Sequence, residues 1–340
     1  MSGTYIFAYS DQGCCLAKKI AELIPNSDIY SINKFAGKYG INGTESVSVK
    51  VGELFNKSKA LLFIGACGIA IRAIAPHLRS KLTDPAVVVI DDKANYVIPL
   101  LSGHIGGAND LAELLAEKLN AVPVITTATD ANNRFAVDSW AVKHNCQISD
   151  MNLAKEISAE ILISCVNMKS DFTVNGKLPN GVILNSSGDL GFYVSYRNDE
   201  PFTNTLKLIP KILHVGIGCR KGKLQHEINN FIQTAFAEYN LRMEAIADIS
   251  SIDIKKEETG LLGAAEKNNV PVYFYTAEEL SALEGEFTRS EFVKSVTGAD
   301  NVCERSAYKS AGGGEFLIRK TTNNGITLAV CAEEWSVNFE

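Results

Sequence analysis

Residues 60–76 read Ala60-Leu61-Leu62-Phe63-Ile64-Gly65-Ala66-Cys67-Gly68-Ile69-Ala70-Ile71-Arg72-Ala73-Ile74-Ala75-Pro76. The first five are apolar and strand-like, Gly65 and Gly68 punctuate a turn, and Ile69 to Ala75 have the spacing of a short helix. Pro76 ends that helix, because proline has no N–H for the next turn. The same unit stands upstream, where Thr4 to Tyr9 read as a strand and Asp11 to Ile24 as a helix with Leu16, Ile20, Leu23 and Ile24 on one face. Downstream come strand Ala86 to Ile90, a turn at Asp91-Asp92, strand Tyr96 to Leu100, a glycine-rich loop, a helix from Gly107 to Leu119 and strand Val122 to Ile125. This alternation predicts an α/β fold, with much of its sheet parallel, helices on both faces and ligand loops at the strand C-termini.

The middle third is less regular. Helices are expected over Phe135 to Lys143 and Leu153 to Ala159, then a strand over Ile161 to Val166 and turns at Asn175-Gly176 and Asn180-Gly181. The polar run Arg197 to Thr205, with Pro201, reads as a linker. A second α/β region opens with strand Ile212 to Ile217 and the loop Gly216-Ile217-Gly218-Cys219-Arg220-Lys221-Gly222. The helix Leu224 to Tyr239, the strand Val272 to Tyr275, the helix Ala277 to Leu283, the run Ala311-Gly312-Gly313-Gly314 and the strand Thr327 to Cys331 follow. The expected architecture is two α/β sandwich-like domains with largely parallel sheets, 1–131 and 211–340, joined by a smaller α+β middle segment, 132–210. No period of 20 to 50 residues marks a solenoid.

Composition narrows the function classes. With 340 residues, 46% apolar and 21% charged, the chain has room for several cores and is neither disordered nor fibrous. The longest nearly apolar stretch, Leu61 to Ile71, is 11 residues, against about 18 for a membrane span. No basic and apolar leader opens the sequence, so a cytoplasmic protein is expected. Eight cysteines form no Cys-x-x-Cys pair, which favours reduced thiols over structural zinc. The formal charge of −6 argues against a nucleic-acid surface, yet leaves room for a small anionic ligand held by a few local cations.

The loop Leu101-Ser102-Gly103-His104-Ile105-Gly106-Gly107-Ala108-Asn109 is the richest in chemistry. Its glycines let backbone amides approach a ligand, the following helix points its positive end at the loop, and His104 can exchange a proton near neutral pH. A tight turn with His104 hydrogen-bonded on the surface would use the same residues. Arg72 after the Gly65 to Gly68 turn suits a carboxylate, hemmed in by Ile69, Ile71 and Ile74; Arg79 and Lys81 read as solvated surface. Asp84 either orients a partner such as His104 or starts the next strand. Thr126, Thr127, Thr129 and Asp130 follow a strand and read as a ligand loop, although an N-cap would use one of them. In the second region Gly216 and Gly218 miss the dinucleotide spacing by one position, while Arg220 and Lys221 at a helix start suit an anion. Ser251 and Lys255 belong to a further polar cluster that also reads as a charged helix start. No His-Glu-x-x-His, Walker A or Gly-x-Ser-x-Gly pattern is present, which removes metalloprotease, NTPase and α/β-hydrolase readings.

Taken in order, Gly65 to Pro76, Thr83 to Val89, Leu101 to Asn109 and Pro123 to Asp130 resemble the cobalamin-biosynthesis G family, the cobalt-precorrin 5A hydrolases of the anaerobic corrin pathway. Val215 to Gly222 and Ser251 to Lys255 resemble that family's second module, which also occurs as a free-standing protein in the aerobic route. The middle segment matches least. The resemblance implies hydrolysis of the δ-lactone of cobalt-precorrin 5A, with loss of acetaldehyde, to give cobalt-precorrin 5B. It implies an anionic cobalt-tetrapyrrole substrate, no cofactor beyond the cobalt that the substrate carries, no protein metal, no nucleic acid and no membrane. A homodimer and transient contacts with neighbouring pathway enzymes are compatible with it, and so is a non-catalytic tetrapyrrole carrier. The local chemistry fits lactone opening: His104 as general base, with Asp84 or Asp130 to fix its tautomer, the Gly106 and Gly107 amides for the oxyanion, and Arg72 and Arg220 for carboxylates. Gly65, Gly68, Ser102, Gly103, Asn109, Thr126, Thr127, Thr129, Gly216, Gly218, Lys221, Ser251 and Lys255 complete the expected substrate contacts, with both α/β regions expected to share one cleft.

Overall fold

In a computed structural model that describes residues 3–80, 83–128, 132 and 134–339, the first seven strands form one sheet. They are β1 (Gly3–Ala8), β2 (Ser27–Ile32), β3 (Asn42–Thr44), β4 (Ser58–Ile64), β5 (Ala86–Ile90), β6 (Tyr96–Leu101) and β7 (Val122–Pro123). The order across the sheet is β3-β2-β1-β4-β5-β6-β7. All neighbours are parallel except β5 and β6, which are antiparallel, with Val87 opposite Leu101 and Ile90 opposite Val97.

Two apolar layers hold this sheet, which is why β4 and β5 read as unbroken apolar runs rather than alternating ones. On one face Ile6, Leu62, Ile64, Val88 and Ile90 meet α1 (Asp11–Leu23) through Cys14 and Ile20, and α5 (Ala108–Leu119) through Ala112 and Leu115. On the other, Phe7, Leu61, Phe63, Val87 and Val89 meet α3 (Val47–Leu54), the following Phe55 and α4 (Cys67–Ile74). Helix α2 (Asn33–Tyr39) lies between β2 and β3 in the chain. Ser10 caps α1 by accepting the Gly13 N–H, which satisfies one of the four unpaired amides of that helix end.

The chain divides into two compact units, 1–139 and 140–340. Helix α6 (Val137–Lys143) contains the boundary, and the second unit continues with β8 (Cys146–Ile148) and α7 (Met151–Ile163). The residues expected as a middle segment build a sheet of their own within this second unit. It consists of β8, β9 (Val166–Ser170), β11 (Val182–Leu184), β12 (Leu190–Val194) and β13 (Asn204–Pro210), while the short β10 (Val174–Asn175) pairs elsewhere. Its order is β11-β9-β12-β13-β8, parallel throughout except at β8. The expected strand Ile161 to Val166 is corrected: Ile157 and Ile161 are fully buried on one face of α7, and the strand begins at Val166. The expected linker Arg197 to Thr205 is corrected as well. Phe202 is 3% exposed, and a Cβ on Gly191 would lie 2.6 Å from its ring, so the segment is anchored by an aromatic plug.

A second five-stranded sheet follows, from β14 (Leu213–Cys219), β15 (Ile246–Ile252), β16 (Val272–Tyr275), β17 (Glu315–Asn323) and β18 (Ile326–Ala332), in the order β16-β15-β14-β18-β17. Helices α8 (Gln225–Glu238) and α9 (Thr259–Asn268) bury Ile228, Ile232 and Leu261 against Val215 and Ile217 on one face. The remaining helices are α10 (Ala277–Ser281), α11 (Glu291–Thr297) and α12 (Cys303–Ser310), and β19 (Val337–Asn338) pairs with β10. No helix among the described residues is long and apolar enough to cross a membrane.

Candidate functional site

The reversal at β6 decides where the histidine loop lies. Because β6 runs against β5, residues 102–107 emerge at the edge where β5 begins, whereas Gly65 follows β4 at the edge where β5 ends and donates its N–H to Ile90 O. Ser102 enters the loop in the left-handed region, at φ 55°, a conformation that costs a non-glycine residue about 1 kcal/mol or more. Three contacts hold it there. Its Oγ donates to Asp84 O at 2.9 Å, its carbonyl accepts the Ala108 N–H at 3.1 Å, and the Gly103 carbonyl accepts Asn109 N–H at 3.0 Å.

The glycines are there for close approach and for backbone shape. A Cβ on Gly103 would lie 2.7 Å from Asn109 Oδ1, one on Gly106 would collide with the Ser102 side chain, and Gly107 sits at φ 78° as the residue before α5. Asn109 is 7% exposed and donates from Nδ2 to Thr127 Oγ1 at 3.0 Å, which ties α5 to the loop after β7. Thr126 is exposed beside it. Thr129 and Asp130 lie outside the described residues.

His104 Nδ1 stands 3.3 Å from Asp138 Oδ1, with side chains 20% and 11% exposed. A carboxylate at Nδ1 selects the tautomer whose lone pair is on Nε2, as a general base requires. Asp138 thus stands at the ring nitrogen where Asp84 or Asp130 was expected. Asp84 is engaged elsewhere: its carboxylate accepts the Arg79 N–H at 3.0 and 3.2 Å, bracing the chain that leads into β5. Arg79, read as plain surface, therefore lies at the histidine edge. The two expected oxyanion amides also differ. Gly107 N–H is spent on His104 O at 2.8 Å, whereas Gly106 N–H has no hydrogen-bond partner among the described residues.

Gly65, Gly68 and Arg72 are not brought to this loop. Gly65 turns at φ 150°, and Arg72 Nη1 donates to Gly68 O at 3.1 Å across one turn of α4, with its side chain exposed. The expected apolar fence is open, since Ile69 and Ile71 are 40% and 50% exposed.

In the second unit, Gly216 and Gly218 serve packing more than ligand approach. A Cβ on Gly216 would collide with Cys303 O at the start of α12, and one on Gly218 would lie 2.5 Å from Thr327 Oγ1. Ser251 is fully buried and donates to Ile217 O at 2.6 Å, which ties β15 to β14. Lys255 pairs with Glu258 at 3.1 Å, and Glu258 also accepts Gly222 N–H at 3.2 Å. Burial opposes charge on Glu258, but Lys255 and that amide outweigh it and hold its pKa below the usual range. Arg220 and Lys221 remain exposed on this loop.

Asp138 was invisible to local reading because a carboxylate in the first turn of a helix is what the helix dipole favours in any case. The one signal was its position just after the threonine-rich loop. Among the described residues no group of three or more His, Cys, Asp or Glu could hold a metal ion.

Known proteins agree with this layout in order and extent. The family described as cobalamin synthesis G N-terminal matches residues 50–130, and that described as cobalamin synthesis G C-terminus matches residues 213–331. A protein of Salmonella typhimurium named cobalt-precorrin-5A hydrolase is 33% identical over 339 residues, covering 96% of each chain. A Priestia megaterium protein of the same name is 30% identical over 355 aligned residues, 96% of this chain and 93% of that one. Protein CobE of Sinorhizobium sp. is 31% identical over 107 residues, 31% of this chain and 70% of its own.

Proposed function

This chain belongs to the cobalamin synthesis G family, and from that premise we propose that it is a hydrolase that opens the δ-lactone of cobalt-precorrin 5A. The products are cobalt-precorrin 5B and acetaldehyde. The observation that carries the reading is the match over 96% of both chains to a relative named cobalt-precorrin-5A hydrolase. The His104–Asp138 pair supports it, because lactone opening needs a base for water and a donor for the oxygen that becomes negative.

In this reading His104 Nε2 takes a proton from water as its oxygen adds to the lactone carbonyl. Asp138 stabilises the imidazolium that forms, and Gly106 N–H faces the tetrahedral oxyanion. Collapse breaks the carbonyl–ring oxygen bond and leaves a carboxylic acid and an alkoxide. The alkoxide becomes the carbonyl of acetaldehyde as its carbon–carbon bond to the macrocycle breaks, and the electron pair passes to the macrocycle, which is then protonated. Cobalt arrives with the substrate, so the step draws on no resident metal. Arg79, whose N–H is held by Asp84 at this edge of the sheet, is proposed for a substrate carboxylate, while Arg220 and Lys221 are proposed for carboxylates that meet the second unit's own loop.

The deciding experiment incubates the full chain with cobalt-precorrin 5A under anaerobic conditions and assays acetaldehyde. Stoichiometric release is expected. Binding of the substrate without release would make the protein a carrier and end the hydrolase reading.

A further inference from the structure

The order of the first sheet turns back on itself between β1 and β4, since β2 and β3 lie to one side of β1 and β4 to β7 to the other. In open α/β sheets such a reversal leaves a crevice at the C-terminal ends of the two strands. Here a cleft of about 400 Å³ lies at that place, lined by Tyr9, Ile32, Ser46, Val47, Ile69 and Arg72 among others. Two donors in it have capacity to spare. Tyr9 Oη is buried without a hydrogen-bond partner, a costly state for a hydroxyl unless something is bound there. Arg72 uses one guanidinium nitrogen on Gly68 O and has no carboxylate within ion-pair distance among the described residues.

We infer that this crevice is a second ligand site, distinct from the histidine loop, that takes an aliphatic carboxylate. The head group would accept from Arg72 and from the Tyr9 hydroxyl, and the carbon chain would lie along Ile32, Val47 and Ile69. Burial pushes the Tyr9 pKa up, so the hydroxyl stays a donor across the physiological range. Glu45 lines the same cleft and disfavours a second negative charge. The site is separate by geometry. Gly65 N–H meets Ile90 at one end of β5, and Ser102 Oγ meets Asp84 beyond the other. Five strand residues at ~3.3 Å each put roughly 17 Å of packed sheet between them. The carboxylate has two sources, a free short-chain acid or a side arm of a corrin, and the inference does not rest on the hydrolase reading.

The test uses the full chain with isoleucine and valine methyl groups labelled for nuclear magnetic resonance, titrated with butyrate and, separately, with cobyrinic acid, a corrin with free carboxylate arms. Butyrate should move the methyl signals of Ile32, Val47 and Ile69 and leave Ile105, in the histidine loop, in place. Response to both probes assigns a free acid as sufficient; response of the crevice to cobyrinic acid alone assigns the corrin arm. Arg72→Gln should weaken the response roughly 10-fold or more. Tyr9→Phe, which removes only an unpaired hydroxyl, should weaken it roughly 3- to 10-fold. A crevice shift with butyrate alone assigns the free acid, and no crevice shift with either probe, whether or not cobyrinic acid moves Ile105, overturns the inference. Acetaldehyde release is a separate readout, so either proposal can fail while the other stands.

Discussion

Among the described residues each unit of this protein contains one histidine–aspartate pair, and the two are built for opposite ends. His104 and Asp138 meet at 3.3 Å on a loop and a helix start, the histidine part-exposed and the aspartate buried. His214 and Asp248 meet at 2.7 Å on adjacent strands, β14 and β15, with side chains 7% and 6% exposed, and Glu333 stands 3.5 Å from the other ring nitrogen. Burial disfavours the His214 imidazolium, but the Asp248 hydrogen bond and the two carboxylate charges outweigh it and raise its pKa above the ordinary 6.5. The difference teaches that a pair of residues does not define a role; exposure and backbone setting do. On a loop the imidazole can meet a substrate, and between strands it is fixed between two carboxylates.

The sharpest way to break this contrast is His104→Ala. Loss of a general base costs on the order of 10² to 10⁴ in rate, so single-turnover lactone hydrolysis should fall by about that factor with substrate affinity changed far less. Near-normal hydrolysis would remove His104 from the chemistry. Next in size is His214→Ala, which leaves Asp248 buried without its partner. Such a change costs about 3 to 5 kcal/mol, read as a lower urea midpoint, and a loss under 1 kcal/mol would mean the pair is not structural. Asp138→Asn should lower the rate by about 10- to 100-fold, as loss of an orienting carboxylate typically does, and should move the acid limb of the pH–rate profile. An unchanged profile would assign Asp138 to packing alone.

The smallest effect concerns pH. A histidine whose folded pKa is raised contributes stability that is complete below its unfolded pKa, about 6.5, and is lost as pH rises through the folded value. The stability advantage of wild type over Asp248→Asn should therefore be largest in mildly acidic buffer and shrink as pH climbs above 6.5. Denaturant melts at several pH values check it, and an advantage that grows with pH would reverse the sign of the linkage.

Much of the fold was legible because β4, β5 and α4 announce themselves by apolar runs and glycine punctuation. The segment 27–54 was not, since β2, Ser-Asp-Ile-Tyr-Ser-Ile, is half polar and β3 is three residues long. The direction of β6 was readable yet easy to pass over: the five residues Asp91 to Asn95 between β5 and β6 are too few for a parallel crossover, which takes a dozen or more. Missing that turn puts the Gly65 and His104 loops at one edge, where the structure puts them at two. The site was legible only in its local half. The loop 102–107 is contiguous, whereas Asp138 reaches His104 across 34 residues of chain, as Asp248 reaches His214. No spacing rule connects positions so far apart.

The antiparallel pairing of β14 with β18 also sets a timetable. β14 is an apolar strand, and its neighbour on that side is made much later, with Thr327 bonded to Gly218 across 109 residues. At roughly 5 to 20 residues per second of synthesis, one side of Leu213 to Cys219 waits about 5 to 20 s for its partner. During that interval the nascent chain presents an unpaired strand edge, the kind of surface on which other strands assemble. Translation speed, and any ribosome-associated chaperone that shields residues 213–219, should therefore govern how much of this protein is recovered soluble.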